Sequence, residues 1–371
     1  MHIKILNAPM IAKISASEWF VRIQSRLIPQ SWQLQCGWSR SVVRRSGLFM
    51  AALLAVAVLN ACTMLAKPSL QPLRIGISTW PGFDIVLYAQ AANLFKERGL
   101  EVELIRFENQ QDSSRAVLRG ALDAAFASLW DIVQSDPGND SPAVVMVTNI
   151  SNGADGVVAR SGIQSIEELR GKRVGAKLGT VNHLILLEAL QLHGIEPNAV
   201  MIEDVSNETA VEMLQKGKLD GAVLWQPLLG ETAEKINGNI VYTTKEINSL
   251  VIDTLMSRLD TVNAKKAELT RFVSTWLDVM YAIDTKPTEV YEVVGQQLGQ
   301  SGEAFAADFN GLQKGDIAMQ EKMFRSPDGL KAAITQISQL LRTDPRAGRL
   351  PREDVDINPE LVTAAIEGWK P

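Results

Sequence analysis

Three blocks of residues recur along this chain, and they restrict its fold more than any other feature. Arg74-Ile75-Gly76-Ile77 is echoed by Arg173-Val174-Gly175-Ala176. Gly99-Leu100-Glu101 is echoed by Gly194-Ile195-Glu196, and Gly120-Ala121-Leu122-Asp123 by Gly217-Lys218-Leu219-Asp220. The interval is nearly constant. A glycine after a helix is common by itself. Three matches in register indicate two similar units in tandem. Each block sits at the same place in a strand–helix–strand–helix–strand series, an order that builds mostly parallel sheets flanked by helices. The chain of 371 residues, 46% of them hydrophobic, is long enough for two such lobes.

In the first unit, Leu73, Ile75 and Ile77 alternate with Arg74, Gly76 and Ser78, which is strand periodicity. Pro81 and Gly82 end the strand, and a helical pattern opens at Asp84 and runs to Arg98. Ser78, Thr79 and Trp80 thus occupy a loop between a strand's carboxyl end and a helix, where open α/β sheets bind ligands. Trp80 either offers a ring to a ligand or packs beneath its own loop. Strand patterns follow at 101–108, 122–128 and 143–150, with a helix at 112–119. Ser128 and Trp225 fall at the carboxyl ends of equivalent strands in the two units. With Trp130 close by, they would line opposite walls of one cleft. Trp225, at a strand end, is expected to be half core. Thr180 can cap a helix running to His193, with His183 in its first turn, and such a helix start suits an anion. One more strand pattern, 249–258, is followed by helices only, expected to pack back on the first lobe.

Charge and rare residues exclude several functions. With 37 basic and 42 acidic residues the formal net charge is −5, which argues against nucleic acid as a partner. The two cysteines, Cys36 and Cys62, make no disulfide framework. The three histidines, His2, His183 and His193, form no metal-ligand pattern. No metal and no cofactor is expected, nor a nucleophile–base pair.

Arg44 and Arg45 precede a short apolar run at 48–58 and then Leu59-Asn60-Ala61-Cys62. This reads as a secretory signal, too short to span a bilayer comfortably. Its end resembles a bacterial lipobox, with Cys62 as the residue acylated after cleavage; an ordinary signal with an incidental cysteine is the alternative. Residues 1–42 do not fit a signal peptide, and translation is expected to start at Val42 or Val43. The domain organisation expected is a signal segment at 1–62 and a tether at 63–72. The first lobe takes 73–157 plus 252–371, and the second 158–251. An acylated Cys62 would anchor an extracytoplasmic protein to a membrane.

Six segments together resemble a known family. They are W-P-G at 80–82, A-V-L-R-G-A-L-D-A-A at 116–125, S-N-G-A-D at 151–155, S-I-E-E-L-R-G-K-R-V-G at 165–175, G-T-V-N-H at 179–183 and G-K-L-D-G-A-V-L-W-Q-P at 217–227. The chain is similar, over roughly 73–300, to substrate-binding proteins of bacterial ABC importers in the nitrate/sulfonate/taurine branch, and to the related binders of thiamine pyrimidine precursors. The resemblance implies a two-lobed periplasmic-binding-protein fold of the second type, with chain crossings near 155–160 and 250–257. It also implies a small polar ligand held between the lobes, hinge closure, and delivery by a monomeric protein to a permease with its ATPase. The matching pocket positions are Ser78, Thr79, Trp80, Ser128, Asn152, Thr180 and Trp225. Asp155, Glu246 and Asp253 also match recurrent segments, as hinge or turn residues or as ligand contacts. Two alternatives remain: an enzyme on the same fold, of pyrimidine synthase or dehydratase type, and a ligand sensor for a membrane receptor.

Overall fold

A computed structural model describes residues 72–136, 140–247, 250–344, 346 and 350–371. The signal, lipobox and tether expectations, Cys62 included, lie outside the described residues. Among those residues no helix is long and apolar enough to cross a membrane.

Two sheets form the framework. The first contains β1 (Leu73–Ile77), β2 (Val102–Arg106), β3 (Ala124–Ser128), β4 (Pro142–Ser151), β10 (Ile252–Arg258) and β11 (Leu312–Lys314), in the order β11-β4-β10-β3-β1-β2. The second contains β5 (Asp155–Ala159), β6 (Arg173–Gly175), β7 (Met201–Glu203), β8 (Gly221–Trp225) and β9 (Asn239–Thr243), in the order β7-β6-β8-β5-β9. The tandem units are real: β2-β1-β3 and β7-β6-β8 are equivalent parallel trios. The sheets as wholes are mixed rather than mostly parallel. β10 runs antiparallel between β3 and β4, and β5 antiparallel between β8 and β9. Both are the strands that enter a lobe from the other one, so the crossing fixes their direction. β11 is an edge strand in a region expected to be helical. Its residues are only partly buried and carry weak periodicity.

The crossings follow β4 at 152–154 and β9 from Thr244, each a few residues earlier than expected. They are fastened to each other. The Thr244 hydroxyl lies 2.8 Å from Ser151 Oγ and accepts the Gly153 N–H at 2.7 Å. Gly153 has φ +111°, and a Cβ there would lie 2.7 Å from Lys245 Cε, so glycine is required. Glu246 belongs to this turn: with Thr243 it forms a capping box around Thr244–Glu246.

The apolar strands bury their side chains on both faces. β3 and β5 are buried throughout, at about 1.5–3 kcal/mol for each large apolar side chain. Most C-terminal helices cover the first lobe. Phe272 and Trp276 of the helix Lys266–Thr285, and Leu361 near the C-terminus, join the cluster of Leu73, Ile75 and Phe126. The helix Leu330–Thr343 does not follow that expectation. It packs on Leu129–Val133 of the first lobe and also on Val181–Leu192 of the second. Its apolar face, Leu330, Ile337 and Leu341, is shared between the two lobes.

Candidate functional site

The loop after β1 is set by its own backbone. Pro81 opens a short helix, α1 (Pro81–Asp84), with Trp80 as N-cap residue. The expected long helix from Asp84 to Arg98 is instead broken into short turns, with Asn93 in the left-handed region. Asp84 caps from within: its Oδ2 accepts the Trp80 N–H at 3.0 Å while Oδ1 accepts from Arg106 Nη1 at 2.8 Å. Burial, foremost, raises the Asp84 pKa; Arg106 opposes the rise. Trp80 is 5% exposed and belongs to the first lobe's core. Its Nε1 points at Asn149 Oδ1, 3.4 Å away. Trp225, the last residue of β8, meets it edge-on across the cleft, with ring centroids 6.4 Å apart at 86°. Gly82 makes room for this arrangement. A Cβ there would sit 2.1 Å from Asn149 Nδ2 and 2.8 Å from Trp80 Nε1.

Three aspartates converge near the two rings, two of them brought there by strand register. β10 places Asp253 between Ser128 on β3 and Asn149 on β4. Asp155 opens β5 directly opposite Trp225 on β8. Asp131 lies in α2 (Leu129–Val133), capped by Ser128, whose hydroxyl donates to Asp131 Oδ2 at 2.7 Å and accepts the Asp131 N–H at 3.1 Å. All three are buried. Asp131 Oδ1 and Asp155 Oδ2 find no hydrogen-bond partner in the protein. Burial pushes Asp131 up to about 7, against the Ser128 hydrogen bond and the charge of Arg115. Burial likewise pushes Asp155 up to about 7, against a hydrogen bond from Ser151. Asp253 is raised well above the carboxylate range, first by burial and then by the negative charge of Asp155.

These groups border a cavity of about 530 Å³ between the lobes. The first lobe contributes Ser78, Thr79, Trp80, Asp131 and Asp253, and the start of α3 (Gln110–Leu118) with its cap Asn109. The second contributes Asp155, Lys177, Thr180 and Trp225, and the start of α4 (Asn207–Gln215) with its cap Ser206. Gln111 Nε2 donates across the cleft to Gly179 O at 2.6 Å. Thr180 caps Val181–Leu192 as expected, accepting from Asn182 N and donating to Lys177 O.

Of the residues picked out from sequence, Ser78, Thr79, Trp80, Thr180 and Trp225 meet at this cavity. Four others do not line it. Ser128 is used as the cap of Asp131. Trp130 is buried and packs edge-on against His183, centroids 6.1 Å apart. His183 lies within 3.1 Å of Asp344 through Nε2, and burial, foremost, lowers its pKa. Asn152 sits in the first crossing, its N–H bonded to Gly311 O. Asp131 was missed altogether. Its signal was the Ser128-to-Asp131 spacing, a capping pattern that says nothing about a cleft. Asp155 and Asp253 were noticed as motif residues. Asp155 is the first residue and Asp253 the second of strands whose residues are almost all buried, which is what makes these two carboxylates unusual.

Residues 80–289, more than half of the chain, match the family model described as "NMT1/THI5 like". The chain belongs to the NMT1/THI5-like family. The matched span of this NMT1/THI5-like chain holds the cavity's aromatic pair, its three aspartates and both crossings. Among named relatives, it is 23% identical to the taurine-binding periplasmic protein of Escherichia coli K12, over 75% of this chain and 88% of that one. It is 27% identical to a putative binding protein of Brucella abortus over 46% of this chain and 52% of that one. It therefore spans about half the length of the Brucella relatives it matches. The periplasmic aliphatic sulphonate binding protein SsuA of E. coli has the same fold, with TM-score 0.63 and 13% identity, over 76% of this chain and 96% of that one.

Proposed function

We propose that this NMT1/THI5-like protein is the extracytoplasmic receptor of an ABC importer, taking a small solute into the cleft and handing it to a permease with its ATPase. One observation carries the reading. The cavity is built half from each lobe, and its two halves are joined by crossings tied at Thr244. A site so divided is completed only when the lobes approach, and opening them releases the solute. The names of its taurine- and sulphonate-binding relatives point the same way and suggest a solute of the sulfonate, taurine, nitrate or pyrimidine-precursor type. The fold alone does not separate binding from catalysis. Among the described residues neither histidine nor cysteine lines the cavity, and His183 is occupied by Asp344. We therefore favour capture over turnover.

The protein is taken to be a monomer, held at the outer face of a membrane through acylated Cys62. Two measurements test the proposal. Solution scattering should show compaction on adding a bound solute, and deleting the gene should abolish uptake of that solute. A solute that binds at saturation without compaction, or uptake that persists, would overturn it. Cys62→Ser should lose fatty-acid label and membrane retention; unchanged retention with full cleavage would remove the anchor.

A further inference from the structure

We propose that the solute carries a cationic nitrogen, seated among the carboxylates of Asp131, Asp155 and Asp253 and flanked by the rings of Trp80 and Trp225. This names the ligand class of the receptor site above and rests on that reading. The charge of the cavity wall comes first. Among the described residues Glu108, Asp131, Asp155, Glu208 and Asp253 line it against a single lysine, and no arginine does. That lysine, Lys177, is already paired with Asp204 at 3.0 Å.

The second observation is independent of the count. Asp155 is 2% exposed and Asp131 6%, yet Asp155 Oδ2 and Asp131 Oδ1 have no donor. Buried acceptors are normally satisfied. Both residues border the cavity, and in this proposal the ligand supplies the missing donors. An ammonium or amidinium group brings several N–H donors together with the opposite charge. Sulfonate or nitrate brings only acceptors and a like charge. Among the described residues no group of three His, Cys, Asp or Glu side chains is arranged to hold a metal ion, which directs the choice to an organic cation. The two tryptophans add faces and edges suited to a flat or alkylated cation.

The arrangement also couples charge to closure. Asp131 and Asp253 stand on the first lobe and Asp155 on the second, so any negative charge these acids carry is opposed across the cleft. A cation between them replaces repulsion by attraction as the lobes meet. The elevated pKa values of all three groups express the same unrelieved burial.

Matched pairs of probes test the inference on the full chain, by thermal shift and titration calorimetry at millimolar concentration. Benzamidine and benzamide share a shape and differ in charge. Taurine and ethanesulfonate differ by one ammonium group. The cationic member of at least one pair should bind and its partner should bind much more weakly. Asp155→Asn and Asp131→Asn, nearly the same size as the native residues, should each weaken that cation by about 10–100-fold, the loss of one charged hydrogen bond. Ethanesulfonate affinity should not fall in either variant. Binding of ethanesulfonate or benzamide as tight as that of its cationic partner would overturn the cationic pole and leave the receptor reading standing. Unchanged cation affinity in both variants, or no binding by either cation, would also overturn it. A bound cation that is chemically converted would keep the pole and remove the receptor reading instead.

Discussion

Replacing Asp155 by Asn should stabilise the ligand-free protein, and by more at alkaline than at acid pH. Asp155 is fully buried, and its pKa rises from the ordinary 3.8 to about 7 in the folded state. A folded-state pKa above the unfolded value means that folding takes up a proton between the two. Stability is therefore highest below the unfolded value and falls as pH rises toward 7, where the penalty levels off. Each pH unit of displacement is worth 1.36 kcal/mol, so the full penalty is about 4 kcal/mol, and about 2–3 kcal/mol of it accrues between pH 5 and pH 8. Asn carries no such penalty. The assay is urea or thermal unfolding of both proteins at pH 5 and pH 8. The advantage of Asp155→Asn should grow by about 2–3 kcal/mol over that range, or on the order of 5 °C in Tm for a domain of this size. If the two proteins lose stability in parallel with pH, Asp155 is not an uncompensated buried acid, and the electrostatic reading of the cleft fails with it.

Three further outcomes follow from the site's geometry. Trp80→Ala should cost about 3–5 kcal/mol of ligand-free stability, because the ring is core, whereas Trp225→Ala, half-buried, should leave Tm nearly unchanged and weaken ligand binding at least about tenfold; a normal Tm for Trp80→Ala would refute the assignment. Gly82→Ala should force apart Trp80 and Asn149 and reduce affinity without unfolding the protein, as read by calorimetry and circular dichroism. Asp344→Ala should leave buried His183 Nε2 without its partner, lower stability by about 1–3 kcal/mol, and speed hydrogen exchange along Leu330–Thr343; unchanged exchange there would show that the helix does not depend on this bond.

What the sequence determined by itself was local. Strand alternation at Leu73–Ile77, the cap at Thr180 and the glycine after the helix that ends near His193 were legible because each depends on residues a few positions apart. The tandem blocks gave two parallel trios for the same reason, repeated. The direction of β10 and β5 was not legible. It depends on the chain returning from the other lobe, and a buried strand reads alike in either direction. The shared packing of Leu330–Thr343 was hidden too, since an amphipathic face does not name its partner. The site divides along the same line. Ser78 to Trp80, Thr180 and Trp225 could be found as strand ends and helix starts. Asp131, Asp155 and Asp253 became one cluster only through the register of β10 with β3 and β4, and of β5 with β8. Burial and charge there arise from partners far along the chain, so tertiary structure decided what kind of cavity this is.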